Sequence, residues 1–384
     1  WEERERHAHH WLAKGNARRA YELVADVRPR DTNPAKAQAF FAGWLALMHL
    51  GRPARARDHF KRMVEFADGP LSKSKSEFWL ARAHKALGNK ELANRHYGES
   101  AKVRDTFHGL LSRQRISAGD RSIELPPARL PDAQETERFL ANGAVRAFHL
   151  GFTHGLDRRQ VLAFYRALGS SLESEGELAL MAQLASHLGD GQGEVRVGKY
   201  GVARGFNLYE FAYPLQHLPE YDPLRDPVEE AMLFAIARQE SEFNSTIVSR
   251  AGARGVLQVM KITARHVCRQ YRIRCRIEDL LEDPSYNARI ASAYIADRRD
   301  EFGGSYILTL TGFNAGPGRT RQWLRRMGDP RQRSVDPFDW IYRIPFEETR
   351  LYVRKVLSNV QIYRARLGES DPLRLDRDLK RGRQ

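Results

Sequence analysis

LGRPARARDHF at residues 50–60 and LGNKELANRHY at residues 87–97 carry one pattern: a glycine, an alanine five residues on and an aromatic ring nine residues on. KGNARRA at residues 14–20 repeats its first half, through Gly15 and Ala20, so the three glycines stand 36 and 37 residues apart. A glycine closing one helix, followed by a small residue where the next helix approaches closely, is what stacked helical hairpins require. The pattern predicts an all-α chain that opens with a helical superhelix.

The spacing resembles that of tetratricopeptide-type solenoids, whose period is about 34 residues. Trp11, Trp44, Phe78 and Trp79 precede the glycines on the leading helices. Rings at such positions fill the space between helices and serve as core. The helical pattern breaks from Ser117 to about Pro131, where Pro126-Pro127 and Leu130-Pro131 act as punctuation. It returns to Leu188, passes a glycine-rich interval from Gly189 to Gly205, and breaks again at Pro219 to Pro227. The expected organisation is therefore a repeat solenoid over 1–120, a helical linker domain over 121–222, a compact helical domain over 223–370 and a frayed basic tail over 371–384. Val195 to Val202 is the one run with some strand character.

The 384 residues include 63 Lys plus Arg against 48 Asp plus Glu, a net charge of +15. That balance favours a polyanionic partner, and Arg-rich solvated helix faces produce it equally well. No zinc-finger spacing, RNP-like aromatic motif or Walker loop accompanies the charge, so nucleic acid is not an expected partner. No apolar run approaches the roughly 18 residues that a membrane span needs. The chain opens at Trp1, which suggests a processed or trimmed chain, with an export signal neither visible nor excluded. Two cysteines, Cys268 and Cys275, cannot complete a four-ligand zinc site; their short separation suits either a disulfide or two thiols. The cluster His7, His9 and His10 at the terminus reads as exposed surface rather than metal ligands.

The chemistry lies downstream. In EEAMLFAIARQESEFN, residues 229–244, Leu233, Ile236 and Ala237 occupy i, i+3 and i+4 of an amphipathic helix, and Glu240 falls at i+7 on the same stripe. Desolvation there disfavours the carboxylate and suits a general acid. A Glu at a helix end can equally reach solvent or pair with an arginine. Glu242, two residues along, points elsewhere on a helix and is not a candidate. Three further motifs follow in order: Ser249 to Gln258 (SRAGARGVLQ), Gly312 to Gly318 (GFNAGPG) and Ile344 to Val353 (IPFEETRLYV).

With these four motifs, residues 225 to 367 resemble the soluble lytic transglycosylases of bacteria, which carry a goose-type-lysozyme-like catalytic domain on a helical superhelix. The resemblance implies that Glu240, in a Glu-Ser pair, is the catalytic acid and that Ser241 orients substrate. Gly255-Val256-Leu257-Gln258 corresponds to the family's Gly-Leu-Met-Gln, with Gln258 expected to bond the sugar and Leu257 to line the cleft. Gly312-Phe313-Asn314-Ala315-Gly316 corresponds to Ala-Tyr-Asn-Ala-Gly; Asn314 keeps its amide, while Phe313 lacks the hydroxyl of the family's Tyr. Glu348 and Tyr352 belong to the motif that builds the cleft floor. Gly252, Gly255 and Gly316 also suit tight turns, and Glu348 with Arg350 suits a structural ion pair.

The implied reaction cleaves the bond between N-acetylmuramic acid and N-acetylglucosamine in peptidoglycan without water, giving 1,6-anhydro products and needing no cofactor. The implied partners are glycan strands, with the repeats offering a surface to cell-wall proteins, and the implied compartment is the periplasm. There a Cys268–Cys275 disulfide is favoured over free thiols. The oligomeric state is not legible. Two alternatives remain at this level: a lysozyme-like muramidase that activates water through a second carboxylate, and a non-catalytic helical scaffold that binds peptidoglycan, for which Phe313 argues.

Overall fold

The structure is a computed structural model that describes residues 1–117 and 119–382. Two compact units emerge, each assembled from separate parts of the chain. The first comprises residues 1–121, 322–358 and 373–380; the second comprises 122–321, 359–372 and the C-terminal residues from 381.

The first unit opens with α1 (Glu2–Ala13), α2 (Ala17–Val24), α3 (Thr32–Trp44), α4 (Pro53–Glu65), α5 (Pro70–Ala86), α6 (Lys90–Ala101) and α7 (Phe107–Ile116). These are the expected hairpins. Gly15, Gly51 and Gly88 all take positive φ (80°, 59° and 81°), the left-handed conformation that ends a helix without a Cβ clash. Ala20, Ala56 and Ala93 are buried where the following helix packs, with Phe60 and Tyr97 buried one turn further. Trp44, Phe78 and Trp79 are core, as expected; Trp11 is only half-buried, with Lys14 and Arg19 over its ring. The Trp79 ring contacts those of Phe40, Phe60 and Phe78 at centroid distances of 5.7, 5.7 and 5.8 Å.

The second unit begins with α8 (Ala133–Ala141), α9 (Gly143–Thr153), α10 (Arg158–Ser171), α11 (Glu175–His187), α12 (Gly191–Ala203) and α13 (Tyr209–Ala212). Phe148, Tyr165, Leu168, Leu178 and Met181 form their core. Each helix from α8 to α12 starts at a capping side chain: Asp132, Asn142, Asp157, Ser174 or Asp190. The run Val195 to Val202, read as weakly strand-like, lies inside α12. No strand occurs among the described residues, only isolated bridges at Val248–Arg254 and Arg254–Val259.

There follow α14 (Glu230–Glu240), α15 (Lys261–Gln270), α16 (Asp279–Glu282), α17 (Pro284–Glu301) and α18 (Tyr306–Asn314). The chain crosses between units within α19 (Pro317–Met327), places α20 (Pro337–Arg343) in the first, and crosses back within the long α21 (Glu347–Arg366). Tyr342 of α20 joins the first unit's aromatic core, 5.5 Å from Trp79 and 4.8 Å from Phe40. Segment 371–382 is not frayed. Leu373, Leu375 and Leu379 are buried around α22 (Leu375–Asp378), and Gln114 and Arg121 bond Asp376. Those three leucines supply the apolar anchor that the charged composition hides.

Because Trp79 is fully buried among four aromatic rings, Trp79→Ala leaves a large cavity. A loss of about 3–5 kcal/mol in urea-induced unfolding is expected, with the far-UV helical signal retained in water.

Candidate active site

The site grows from the C-terminal end of α14. Residues Ala231 to Ala237 are buried without a break, so this helix runs through the interior of the second unit. Its start is fixed by Glu229, whose carboxylate receives Arg364 Nη2 at 2.7 Å, Arg364 Nε at 3.0 Å and the Tyr306 hydroxyl at 2.7 Å. Arg364 is fully buried, so both charges of this pair are held by directed hydrogen bonds. Near its end, Arg238 donates to Ala212 O (2.6 Å) and to Asn359 Oδ1 (3.1 Å) and stacks over Tyr213 at 3.8 Å.

Glu240 is the last residue of α14 and is half-buried. Ser241, next along, is 3% exposed. Its hydroxyl donates to Val256 O at 2.7 Å, so the side chain expected to orient substrate instead ties the helix end to the Gly255–Gln258 loop. The chain then turns through two non-glycine residues at positive φ, Glu242 (52°) and Phe243 (66°). Glu242 lies beyond the helix and faces α12, receiving Arg196 Nε at 2.7 Å and Lys199 Nζ at 2.6 Å. Burial opposes its ionisation, but the charges and hydrogen bonds of Lys199 and Arg196 prevail and hold its carboxyl below the ordinary value of 4.5.

The loop is fixed by a side chain that sequence reading passed over. Asn287 on α17 is fully buried, accepts the Leu257 N–H at Oδ1 (3.0 Å) and donates through Nδ2 to Arg254 O and Leu280 O (both 2.8 Å). Gly255 has φ 75°, and a Cβ there would stand 2.2 Å from Leu280 O and 2.3 Å from Asn287 Nδ2. Leu257, expected to line the cleft, is fully buried in the core. Gln258 is half-buried at φ 48°, and its amide nitrogen Nε2 donates to Gly255 O (2.9 Å) and Ile247 O (3.2 Å). Both partners are carbonyls, so the amide orientation is fixed and Oε1 remains the available acceptor.

Tyr294 lies seven residues beyond Asn287, two turns along the same face of α17. Its ring centroid is 6.0 Å from that of Phe313, which is half-buried on α18 beside Asn314. One helix thus backs both the Gln258 loop and the Phe313 position. The signal for Asn287 and Tyr294 was their heptad spacing, which in an alanine-rich helix reads as ordinary packing. Glu348 (exposed) and Tyr352 (buried) lie on the part of α21 that belongs to the first unit. Arg350 makes no ion pair with Glu348; it donates to Ile344 O at 2.7 Å and secures the turn before α21.

Cys268 and Cys275 are unbonded, contrary to the expected disulfide. Cys268 is buried on α15 with Sγ 3.4 Å from the Tyr286 hydroxyl, while Cys275 is exposed beyond the turn at Arg272 (φ 53°). Partial burial and a hydrogen bond with Cys268 push the Cys275 thiol up to about 11.

Two outcomes are expected here. Asn287→Ala strands three backbone groups and lowers stability by about 1–3 kcal/mol, read by thermal unfolding. Glu242→Gln is destabilising at neutral pH, and the gap to wild type closes as the pH falls. A carboxyl with a depressed folded-state value stabilises above its unfolded value of about 4.5 and loses that contribution as pH drops through the folded one. Denaturant midpoints measured across an acid series check the sign.

Residues 220–335 match the family described as Transglycosylase SLT domain, and residues 343–372 match the Soluble lytic transglycosylase helical domain. The soluble lytic murein transglycosylase of Salmonella typhimurium is 36% identical over 155 residues, covering 40% of this chain and 23% of that protein. Its counterpart from Escherichia coli K12 is 36% identical over 147 residues, 38% of this chain and 22% of that one. Among solved structures, the lytic transglycosylase Slt of Pseudomonas aeruginosa, an inactive glutamate-to-glutamine mutant, aligns with a TM-score of 0.70 at 26% identity. That alignment covers 92% of this chain and 55% of that one. The 70-kDa soluble lytic transglycosylase of Escherichia coli shares the fold, with a TM-score of 0.67 at 24% identity over 94% of this chain and 55% of its own. The chain spans about half the length of these solved relatives.

Proposed function

We propose, with residues 220–335 a transglycosylase SLT domain, that this chain is a lytic transglycosylase that cleaves the β-1,4 bond between N-acetylmuramic acid and N-acetylglucosamine in peptidoglycan. The observation that carries the reading is the Glu240-Ser241 junction, where the half-buried end of α14 is bonded through Ser241 to the loop that presents Gln258.

Glu240 protonates the glycosidic oxygen as the C1–O bond breaks. The 2-acetamido group of the muramoyl residue stabilises the cation at C1. The Glu240 carboxylate then takes the proton of the C6 hydroxyl of the same sugar, and O6 closes on C1. A 1,6-anhydromuramoyl end forms, the leaving sugar gains the proton at O4, and Glu240 regains its own. No water is consumed, so one carboxyl suffices where hydrolytic glycosidases generally use two.

Glu242 and Glu229 are held in ion pairs with arginine and lysine, which suits anchoring rather than proton transfer, and the Glu-Ser motif supports Glu240 as the proton carrier. Gln258 Oε1 is placed to accept from the sugar's amide or hydroxyl groups, and Asn314 to hold the substrate, both as positioning groups. Ser241 and Leu257 act from beneath by fixing this geometry. Glu348 and Tyr352 lie in the first unit, and only the motif they belong to supports a part for them in substrate binding. The Pseudomonas aeruginosa relative supports the role of the acid, since its solved form is an inactive mutant in which one glutamate is replaced by glutamine. No helix among the described residues is long and apolar enough to cross a membrane. A cell-wall substrate supports a working compartment in the periplasm.

Digestion of purified sacculi with wild type and with Glu240→Gln, read by mass spectrometry of released muropeptides, tests the proposal. Wild type is expected to release products lighter by one water than reducing-end fragments. The variant is expected to lose at least about a hundredfold in rate, the usual contribution of a positioned general acid. Reducing-end products from wild type would instead establish a muramidase, and no release would leave a glycan-binding scaffold.

A further inference from the structure

The first unit gathers three basic side chains around one aromatic ring, with Glu5 and Glu347 within electrostatic reach but in no ion pair with them. Lys75 lies on the buried stripe of α5, at i relative to Phe78, Trp79 and Arg82 at i+3, i+4 and i+7. Its Nζ sits 3.3 Å from the centroid of the Phe40 ring and 5.5 Å from that of Tyr342. On the same Tyr342 ring, at 4.7 Å, rests the guanidinium of Arg354. Arg354 is locked there by bonds from Nε to Arg350 O (3.0 Å) and from Nη1 to the Tyr342 hydroxyl (2.7 Å), which in turn meets His108 Nε2 at 2.8 Å. Arg350, one turn earlier on α21, spends Nη1 on Ile344 O and Pro345 O.

Arg82, on the same stripe of α5, has an acidic partner in Asp336 at 3.4 Å. Lys75, Arg350 and Arg354 make no ion pair with any described carboxylate. The titratable groups that face Lys75 are Glu5 and His9 of α1, Arg82 of α5, His108 of α7, Tyr342 of α20, and Glu347, Arg350 and Arg354 of α21. Burial pushes Lys75 well below its ordinary value, with Arg354 and Arg350 adding to the effect. Burial likewise lowers Arg350, and brings His9 down to about 4. Two guanidinium groups with further N–H donors and the Lys75 nitrogen, whose charge a bound anion would favour, suit the planar or tetrahedral oxygens of an oxyanion.

We propose that Lys75, Arg350 and Arg354 form an oxyanion site in the first unit, taking one carboxylate-like or sulfate-like group. The site uses none of Glu240, Gln258 and Asn314, and its test does not depend on turnover. An occupant can be a free inorganic anion or a carboxylate carried by an acidic peptide, and two probes separate these sources. Isothermal titration of the full chain with sulfate and with N-acetyl-L-alanyl-D-glutamate should give saturable binding at one site. Affinity should weaken about tenfold in Lys75→Met, which keeps the apolar stem, and in Arg354→Gln, as loss of one charge-assisted bond predicts. It should be unchanged in Lys102→Met, an exposed lysine of the same unit.

Tighter binding of the dipeptide identifies a peptide carboxylate as the occupant; equal or tighter sulfate identifies a free anion. Neither probe changes charge above about pH 6, whereas Lys75, held below its ordinary value of 10.5, loses its proton as the pH rises, so wild-type affinity should fall with rising pH. That series needs no variant and decides the matter even if one fails to fold. No saturable binding by wild type, an affinity constant with pH, or equal weakening in Lys102→Met overturns the site.

Discussion

The amide of Asn287 is the constraint on which the candidate site depends. The Gly255–Gln258 loop has almost no regular backbone pairing of its own, only the isolated bridges at Arg254, and it contains a non-glycine residue, Gln258, in the left-handed region. Such a conformation costs about 1–2 kcal/mol and persists only where its surroundings impose it. Three hydrogen bonds from one fully buried side chain impose it, and each saves a backbone group from being buried unpaired. Because Gly255 lies against that same amide, the glycine and the asparagine are a matched pair: a Cβ at 255 would displace the group that shapes the loop.

The glutamates around α14 divide their work by position. Glu229, before the first turn, is bonded twice by Arg364 and once by Tyr306, and so anchors the helix start to α21 and α18. Glu242, beyond the last turn, is bonded by Arg196 and Lys199 and anchors the exit to α12. Between them Glu240 occupies the one place where the helix has ended its buried run and has not yet turned away. The two flanking ion pairs, each partly shielded from water, fix where α14 begins and where the chain turns away after it, and so hold the backbone that carries Glu240.

Much of this was legible. The glycine period of the first unit could be read because a left-handed helix end demands glycine, and the apolar stripe of α14 could be read because burial repeats every three to four residues. What escaped has physical reasons. Val195 to Val202 contains Gly198 and Gly201, which lower helix propensity, yet they are there because α12 packs so closely that a Cβ at 198 would meet Ala212 N at 2.3 Å. Asn287 and Tyr294 sit in an alanine-rich helix where their heptad spacing reads as ordinary packing, since a buried amide bonding backbone adds nothing to that pattern. Ser241 and Leu257 were assigned to the substrate because their motifs are; the backbone contacts that draw them inward connect residues 15 and 30 positions apart, beyond the reach of any local periodicity.

Phe313 shows where packing and chemistry separate. Its ring keeps a tilted contact with Tyr294, 6.0 Å between centroids at 50°, and the contact energy of such a pair comes from ring area and quadrupole. A hydroxyl at the ring tip would add little to that energy. The fold around α17 and α18 is therefore indifferent to whether position 313 carries a phenol, and the same backbone can support either residue. Any consequence of the substitution lies in hydrogen bonding rather than packing, and Tyr294 brings a phenol ring against that of Phe313. The departure from the motif thus alters the hydrogen-bonding inventory of the site while leaving the architecture that holds Glu240, Gln258 and Asn314 unchanged.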